Sequence, residues 1–287
     1  MTLLTLNTHS LVEGNEYEKL SLLLDFLLKC APDVIVLQEV NQTVMAKETS
    51  TPEGFTLLSA PEGSIPLRED NFVLSLQREL NNSGIFYHAV WFPIKLGYGR
   101  FDEGLAILTR RAPTSVRGFP ISRKKDYGNW KTRGAIIAYL PEYGVHICNT
   151  HTGRYDDEDE PFSEQWKRLL GAFPASPLIL AGDFNSPAER RNEGYDEIIG
   201  SGFLDIYTLA KNKTGNATVK GNIDGWSGTD SPQRIDFIFS SFVPSESNLI
   251  YRTVLDGING NTVSDHFGIF AELDAPNTKK HPIKEKK

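Results

Sequence analysis

The chain has 287 residues, and its 30 Lys and Arg against 37 Asp and Glu give a formal net charge of −7, with 39% hydrophobic and 10% aromatic residues. Such a chain is globular, with ample length for a buried core, which excludes a disordered or fibrous protein. The acidic balance argues against broad sequence-independent nucleic-acid binding, which needs Lys and Arg to displace counterions from phosphates. Residues 3–6 read as a short strand that ends at Asn7. The i, i+3, i+4 spacing of Leu20, Leu23, Leu24, Leu27 and Leu28 predicts an amphipathic helix over 18–30, closed by Pro32. The near-continuous apolar run 33–38 is that of a strand covered on both faces. Residues 43–65 lack periodicity and are expected to form a long surface loop.

A second helix is expected over 72–80, then strands over 85–91, 105–108, 134–140 and 145–149. A helix over 164–173 leads to a strand over 178–181. The last third carries a short helix near 195–199 and strands over 235–239, 249–254 and 267–272. From Pro276 onward the sequence holds five Lys and one Glu, a local charge of +4 that leaves the body at −11. No repeat or Gly/Ser-rich linker divides the body. The expectation is one α/β catalytic domain over 1–275 and a disordered Lys-rich tail over 276–287. With only Cys30 and Cys148 there is no disulfide framework or four-thiolate zinc site, and both are read as buried free thiols. No apolar run approaches the length of a membrane span, and the N-terminal residues lack a secretory pattern, so the expected location is the cytoplasm.

Residues able to do chemistry recur where apolar strands begin or end. Asn7, Glu39, His151, Asp183 and Asn185 follow strands, Asp236 heads one, and Asp265 and His266 precede one. Taken singly, an Asp or Asn there is a turn residue and a lone His is structural. Taken together, they mark the strand-end crevice where ligands gather in α/β sheets. The donors are oxygens with few histidines and no thiolates, a set that suits Mg²⁺, Mn²⁺ or Ca²⁺ rather than zinc.

Leu6-Asn7-Thr-His, Leu37-Gln-Glu39-Val, Asn149-Thr-His151, Gly182-Asp183-Phe-Asn185-Ser, Arg234-Ile-Asp236-Phe and Ser264-Asp265-His266 occur in this order. As an ordered set spanning the body, they resemble the endonuclease/exonuclease/phosphatase superfamily, which includes deoxyribonuclease I, abasic-site endonucleases, sphingomyelinases and inositol polyphosphate phosphatases. The resemblance implies a four-layered α/β sandwich, two mixed β-sheets packed face to face and flanked by helices. It also implies attack of water on phosphorus, with Asp183 orienting or deprotonating the water and Asn185 fixing its neighbours and the phosphate. His266, paired with Asp236, would donate to a phosphoryl oxygen, and His151 would be the second donor. Two positions resemble the deoxyribonuclease I branch: Glu103 as the partner of His151, and Arg133 as a phosphate contact. Glu39 is the hard anionic ligand best placed for Mg²⁺, with Asn7 and Asp265 beside it; one ion or two is left open. His9, His88, His146 and His281 match no motif and are read as structural or surface groups.

The substrate is expected to be small. The acidic run 156–160 is either a solvated loop or, if it lines the mouth, a barrier to a nucleic-acid backbone. No basic stripe interleaved with aromatics tracks a polynucleotide, and no amphipathic basic helix suggests membrane attack. The segments Asn129-Trp130-Lys131-Thr-Arg133 and Lys220-Gly-Asn-Ile-Asp224-Gly-Trp226 combine aromatic faces with polar groups suited to carbohydrate, which makes Trp130, Lys131 and Trp226 candidate substrate contacts. Those segments, with Asp102-Glu-Gly-Leu-Ala106, Glu160-Pro-Phe162 and Glu164-Gln-Trp166, are similar to a bacterial branch that includes maltose 6′-phosphate phosphatases. A sugar phosphatase is the leading expectation. The alternatives are a nuclease or other phosphodiesterase, favoured if Lys131, Arg133 and Arg154 form a continuous basic track, and a non-catalytic protein of the same fold, against which the intact ligand set argues.

Overall fold

Strand and helix alternate from the first residues of the computed structural model, which describes residues 1–276 other than 13, 222–230, 246 and 247. The strand β1 (Thr2–Asn7) leads to α1 (Glu16–Cys30), β2 (Val34–Thr43), β3 (Phe55–Leu57) and α2 (Phe72–Asn82). A run of strands follows: β4 (His88–Gly97), β5 (Phe101–Thr109), β6 (Ser115–Pro120), β7 (Gly134–Leu140) and β8 (Val145–His151). Then come α3 (Phe162–Gly171), β9 (Leu178–Asp183), α4 (Gly194–Gly200), β10 (Leu204–Asp205) and α5 (Ile206–Leu209). The short β11 (Asn212–Thr214), β12 (Asp236–Ser240), β13 (Ile250–Val254) and β14 (Gly268–Glu272) complete the order. The helices start and stop for local reasons. Asn71 caps α2 by accepting from Leu74 N–H at 3.0 Å, and α1 ends where Ala31 turns left-handed (φ 41°) just before Pro32.

The strands form two mixed sheets, an eight-stranded one ordered β11-β13-β14-β1-β2-β5-β4-β3 and a six-stranded one ordered β10-β12-β9-β8-β7-β6. Alternation along each strand explains how they stack. In β2, Val34 and Val36 turn inward to meet Ile147, Ile179 and Ile238 of the other sheet. Ile35 and Leu37 turn outward onto Leu23 and Leu27 of α1 and Leu74 and Leu76 of α2. On the far side, Phe162, Trp166 and Ile198 of α3 and α4 cover Phe237 and Phe239. The layers are therefore helix, sheet, sheet and helix, the expected four-layered sandwich. Between them, β1 pairs in parallel with β2 and antiparallel with β14, so Thr2 faces Glu272 across the ladder.

Several expectations change. The second strand runs on to Thr43 and β4 runs from His88 to Gly97, because each contains a β-bulge that breaks its alternation. Both bulges flank β5 at one point. On β2 the register slips between Leu37, opposite Ala106, and Val40, opposite Gly104; on β4 it slips between Pro93, opposite Gly104, and Lys95, opposite Glu103. A Cβ on Gly104 would lie 2.1 Å from the Phe92 carbonyl oxygen, so only glycine lets the bulged β4 pass this close. The expected loop over 43–65 contains the short β3. Cys148 is buried as expected, whereas Cys30 is only half-buried. Trp226, Asp224 and the Lys-rich residues from 277 onward lie outside the described residues. Among the described residues, no helix is long and apolar enough to cross a membrane.

Candidate active site

One rim of the sandwich collects the polar residues. Asn7 and His151 end β1 and β8, and Asp183 ends β9. Asp236 heads β12 directly opposite Asp183, and Asp265 and His266 precede β14. Because β12 and β14 run antiparallel to β9 and β1, their starts coincide with the ends of those strands. Side chains tie the two sheets together at this rim. Gln38 Nε2 donates to Asn149 Oδ1 at 2.8 Å, and Asn149 Nδ2 donates to the carbonyls of Leu37 and Ala106, both at 2.8 Å. A rigid, buried amide lock of this kind fixes the spacing between catalytic groups that come from different sheets.

The centre of the site is the Asp183 carboxylate. Its Oδ1 accepts from the Asn185 backbone N–H at 2.9 Å, and its Oδ2 accepts from Asn7 Nδ2 at 3.0 Å. Oδ2 also lies 3.5 Å from His151 Nε2 and 3.8 Å from His266 Nε2. Burial, then the charge of Asp236, pushes this carboxyl up to about 7, with His266 and the two hydrogen bonds opposing.

The two histidines are pushed in opposite directions. Burial works against the His266 imidazolium, but Asp236, 2.9 Å from Nδ1, outweighs it and, with Asp183, raises the group to about 10. His151 is driven well below its ordinary value by burial and by the charges of Arg133, Lys95 and His266. The Asn185 amide donates to the Thr152 carbonyl and faces His151 Nε2, both at 3.0 Å. Asn185 itself adopts a left-handed conformation, φ 45°.

Glu39 sits on the β2 bulge at φ 51°, which turns its carboxylate into the site instead of into the helix layer. Asn7 Nδ2 donates to Glu39 Oε1 at 3.0 Å. Burial, then the charge of Glu103, raises the Glu39 carboxyl, with Asp265 adding to the rise and His9 opposing it. Half-buried carboxylates crowded in this way fit a hard divalent cation, whose charge would relieve them, and Glu39, Asp265 and the Asn7 amide would hold it. Asp183, Asp236 and His266 also bring three donor atoms within 4.8 Å of one another. That group is a less suitable cation site, because its protonated histidine already engages Asp236 and a metal ligand must be unprotonated.

The remaining expected residues are placed as follows. Glu103 does not bond His151; its carboxylate lies 3.1 Å from Lys95 Nζ, so the expected pairing gives way to a buried ion pair. Arg133 is 9% exposed and donates Nη1 to the carbonyls of Trp130 and Thr132 at 2.7 and 3.2 Å. Lys131 is held by Asp157 and Asp159, each at 2.9 Å, and Trp130 stands 62% exposed at the mouth. The acidic run is thus more than a solvated loop. Its Glu160 is buried, accepts from the backbone N–H groups of Arg123 and Lys124 at 2.9 and 2.8 Å, and seats the loop beside the cavity.

The cavity encloses about 380 Å³, with Glu39, His151, Asp183, Asn185 and His266 in its walls and Trp130, Tyr98 and Arg154 among its lining residues. Sequence reading missed Lys95 and Tyr98. Lys95 interrupts the apolar run Phe92-Pro-Ile-Lys-Leu96, the one signal that marked it. Tyr98 lies in the tight β4–β5 turn at φ 52°, where nothing local distinguishes it from any hairpin residue. His9, read as structural or surface, reaches the rim: Nδ1 is 3.6 Å from Asp265 and Nε2 is 3.3 Å from the Tyr98 hydroxyl. His146 is structural as expected, bonded to Ser176 at 2.9 Å.

Residues 4–266 match the sequence profile of the endonuclease/exonuclease/phosphatase family. A member of that family from Leptotrichia buccalis is 26% identical, with a TM-score of 0.81 over 95% of this chain and 99% of its own. A mannosyl-6-phosphatase from Bacteroides thetaiotaomicron shares the fold at 17% identity and a TM-score of 0.61, covering 95% of this chain and 99% of its own. So does a 3′ phosphatase from Neisseria bound to a product DNA hairpin, at 20% identity and a TM-score of 0.61, covering 96% of this chain and 99% of its own. No curated protein sequence matches the chain.

Proposed function

The chain belongs to the endonuclease/exonuclease/phosphatase family, and from that premise we propose that it is a divalent-metal-dependent phosphomonoesterase acting on a small sugar phosphate such as maltose 6′-phosphate. The observation that carries this reading is the shape and charge of the site. A cavity of about 380 Å³ is of a size for one small ligand, and its mouth offers the exposed faces of Trp130 and Tyr98 to a sugar ring. The basic track that would favour a polynucleotide is interrupted, because Lys131 is paired with Asp157 and Asp159, and Arg154 Nε lies 3.3 Å from Asp156. The mannosyl-6-phosphatase among the proteins of the same fold is consistent with a sugar phosphate as substrate.

A divalent cation on Glu39, Asn7 and Asp265, with Mg²⁺ the best match and Mn²⁺ or Ca²⁺ the alternatives, would neutralise phosphoryl oxygens and the departing alkoxide. The chain's own residues do the rest. Asp183, pushed up to about 7, is tuned to take a proton from the attacking water near neutral pH. His266, protonated and anchored on Asp236, donates through Nε2 to the phosphoryl group. His151, neutral, is held by Asn185 and adds a polar wall opposite. Arg133 supplies fixed positive charge, and preorganised charge of this kind is the largest catalytic contribution such a site can make.

The test offers the purified protein with Mg²⁺ a panel of maltose 6′-phosphate, other sugar phosphates, and single- and double-stranded DNA. Phosphate release from a sugar phosphate is expected, abolished by EDTA and lowered about 10²- to 10⁴-fold by Asp183→Ala. DNA cleavage with inert sugar phosphates would overturn the reading.

A further inference from the structure

The ion pair of Lys95 with Glu103 has no part in the mechanism above, yet it forms the inner wall of the cavity. The β4 bulge keeps Ile94 in the core between the sheets and turns Lys95 toward the site, where it is only 9% exposed. Its Nζ donates to the Trp130 carbonyl at 3.0 Å and lies 3.1 Å from Glu103 Oε1, which leaves one of its three hydrogens for a ligand. Glu103 is set by the strand beside it. A Cβ on Gly97 would come within 2.6 Å of Glu103 Oε2, so glycine there makes room for the carboxylate.

Arg133 stands next to this pair, equally buried, and its Nε has no hydrogen-bond partner. Burial and the nearby arginine pull Lys95 below its ordinary value, with Glu103 opposing, and burial likewise lowers Arg133. Two buried cations thus lie beside Glu103, with the charge of Glu39 reaching both and those of Asp183 and Asp157 reaching Arg133, and both cations keep donors unused. An anion with more than one charge is the ligand that completes such a wall. The space beside it is narrow. Lys95, Glu103, Arg133 and His151 also line a void of about 10 Å³, which is room for at most a single water. A phosphoryl oxygen directed at this wall has little room to carry a second ester chain.

We propose that Lys95, together with Arg133, forms a dianion subsite that receives an unesterified phosphoryl oxygen, so that Lys95 selects phosphate monoesters over diesters. This rests on the phosphoesterase reading above and adds to it the residue that decides between ester classes. Glu103 is a positioning residue that holds the ammonium in place.

The test compares kcat/KM for p-nitrophenyl phosphate and bis(p-nitrophenyl) phosphate in the Mg²⁺-loaded protein, alongside the affinity for inorganic phosphate read by calorimetry. Lys95→Met is expected to lower the monoester-to-diester ratio about 10- to 100-fold and to weaken phosphate binding by a similar factor, as loss of a hydrogen bond to a charged group does. The paired change Lys95→Met with Glu103→Gln keeps the local charge balanced, and it is expected to retain both losses. It also carries the test if the single variant does not fold. A wild-type ratio in Lys95→Met, or its return in the paired variant, would overturn the proposal and leave Lys95 as the counter-ion of Glu103. Phosphate affinity needs no turnover, so a wild-type protein inert toward monoesters would sink the proposed function while the role of Lys95 is still read from binding.

Discussion

His266 and His151 stand on either side of one carboxylate, and their neighbours leave the first cationic and the second neutral. Asp236 holds the first as an imidazolium, while Arg133 and Lys95 help keep the second neutral. This asymmetry has a consequence for stability. Native His266, raised to about 10 from an ordinary 6.5, keeps a proton that the unfolded chain releases. Its contribution is complete below pH about 6.5 and is lost as pH rises toward about 10. Asp183, raised from 3.8 to about 7, also makes stability fall with pH, but in the lower window between those values. In EDTA, urea unfolding between pH 7 and 10 should therefore show a declining stability that Asp236→Asn flattens. An unchanged slope in the variant would separate His266 from its partner. The histidines and carboxylates were legible in the sequence because short motifs carry them at strand ends. Lys95 was not, since a lone lysine in an apolar strand looks like an edge residue until the bulge beneath it is seen.

At the scale of elements, the site depends on two bulges that meet at Gly104. One presents Glu39 and the other presents Lys95, and β5 passes between them. Gly104→Ala places a methyl 2.1 Å from the Phe92 carbonyl, so β4 must move and take Lys95 with it. Destabilisation by about 1–3 kcal/mol is expected, by analogy with overpacked cores, with activity lost even where the protein remains folded. Gly171→Ala, where nothing lies within 4 Å, should change the denaturation midpoint and kcat/KM little. Equal effects of the two substitutions would refute the role given to Gly104. The same bulges explain why two strands were read too short or displaced. Alternation reports a regular pleat, and one extra residue inverts the pattern, so Val40–Thr43 and Pro93–Gly97 did not read as continuations. The short β3, β10 and β11, two or three residues each, offer too few positions for any period to register.

At the scale of the whole molecule, the charge of −7 has a definite distribution. Part of it is crowded around Glu39, where we propose a cation binds, and part lies in the loop that occupies Lys131. Releasing that lysine by Asp157→Asn with Asp159→Asn should raise affinity for a DNA oligonucleotide at low salt several-fold, an increase that vanishes as salt is added. No gain in anisotropy titrations would mean that the loop does not govern polyanion access. The layered sandwich followed from the alternation of strands and helices and from the ordered motifs together, but the order of strands within each sheet did not. Pairings such as Thr2 with Glu272 join segments with no local signature of each other. That pairing also sets a schedule for assembly. With β1 at the middle of its sheet, β14 must arrive before the ladder closes, and Asp265 and His266 arrive with it. A nascent chain still short of these residues holds Asn7, Glu39, His151 and Asp183 without His266, so the rim is completed in one step when β14 docks rather than by degrees.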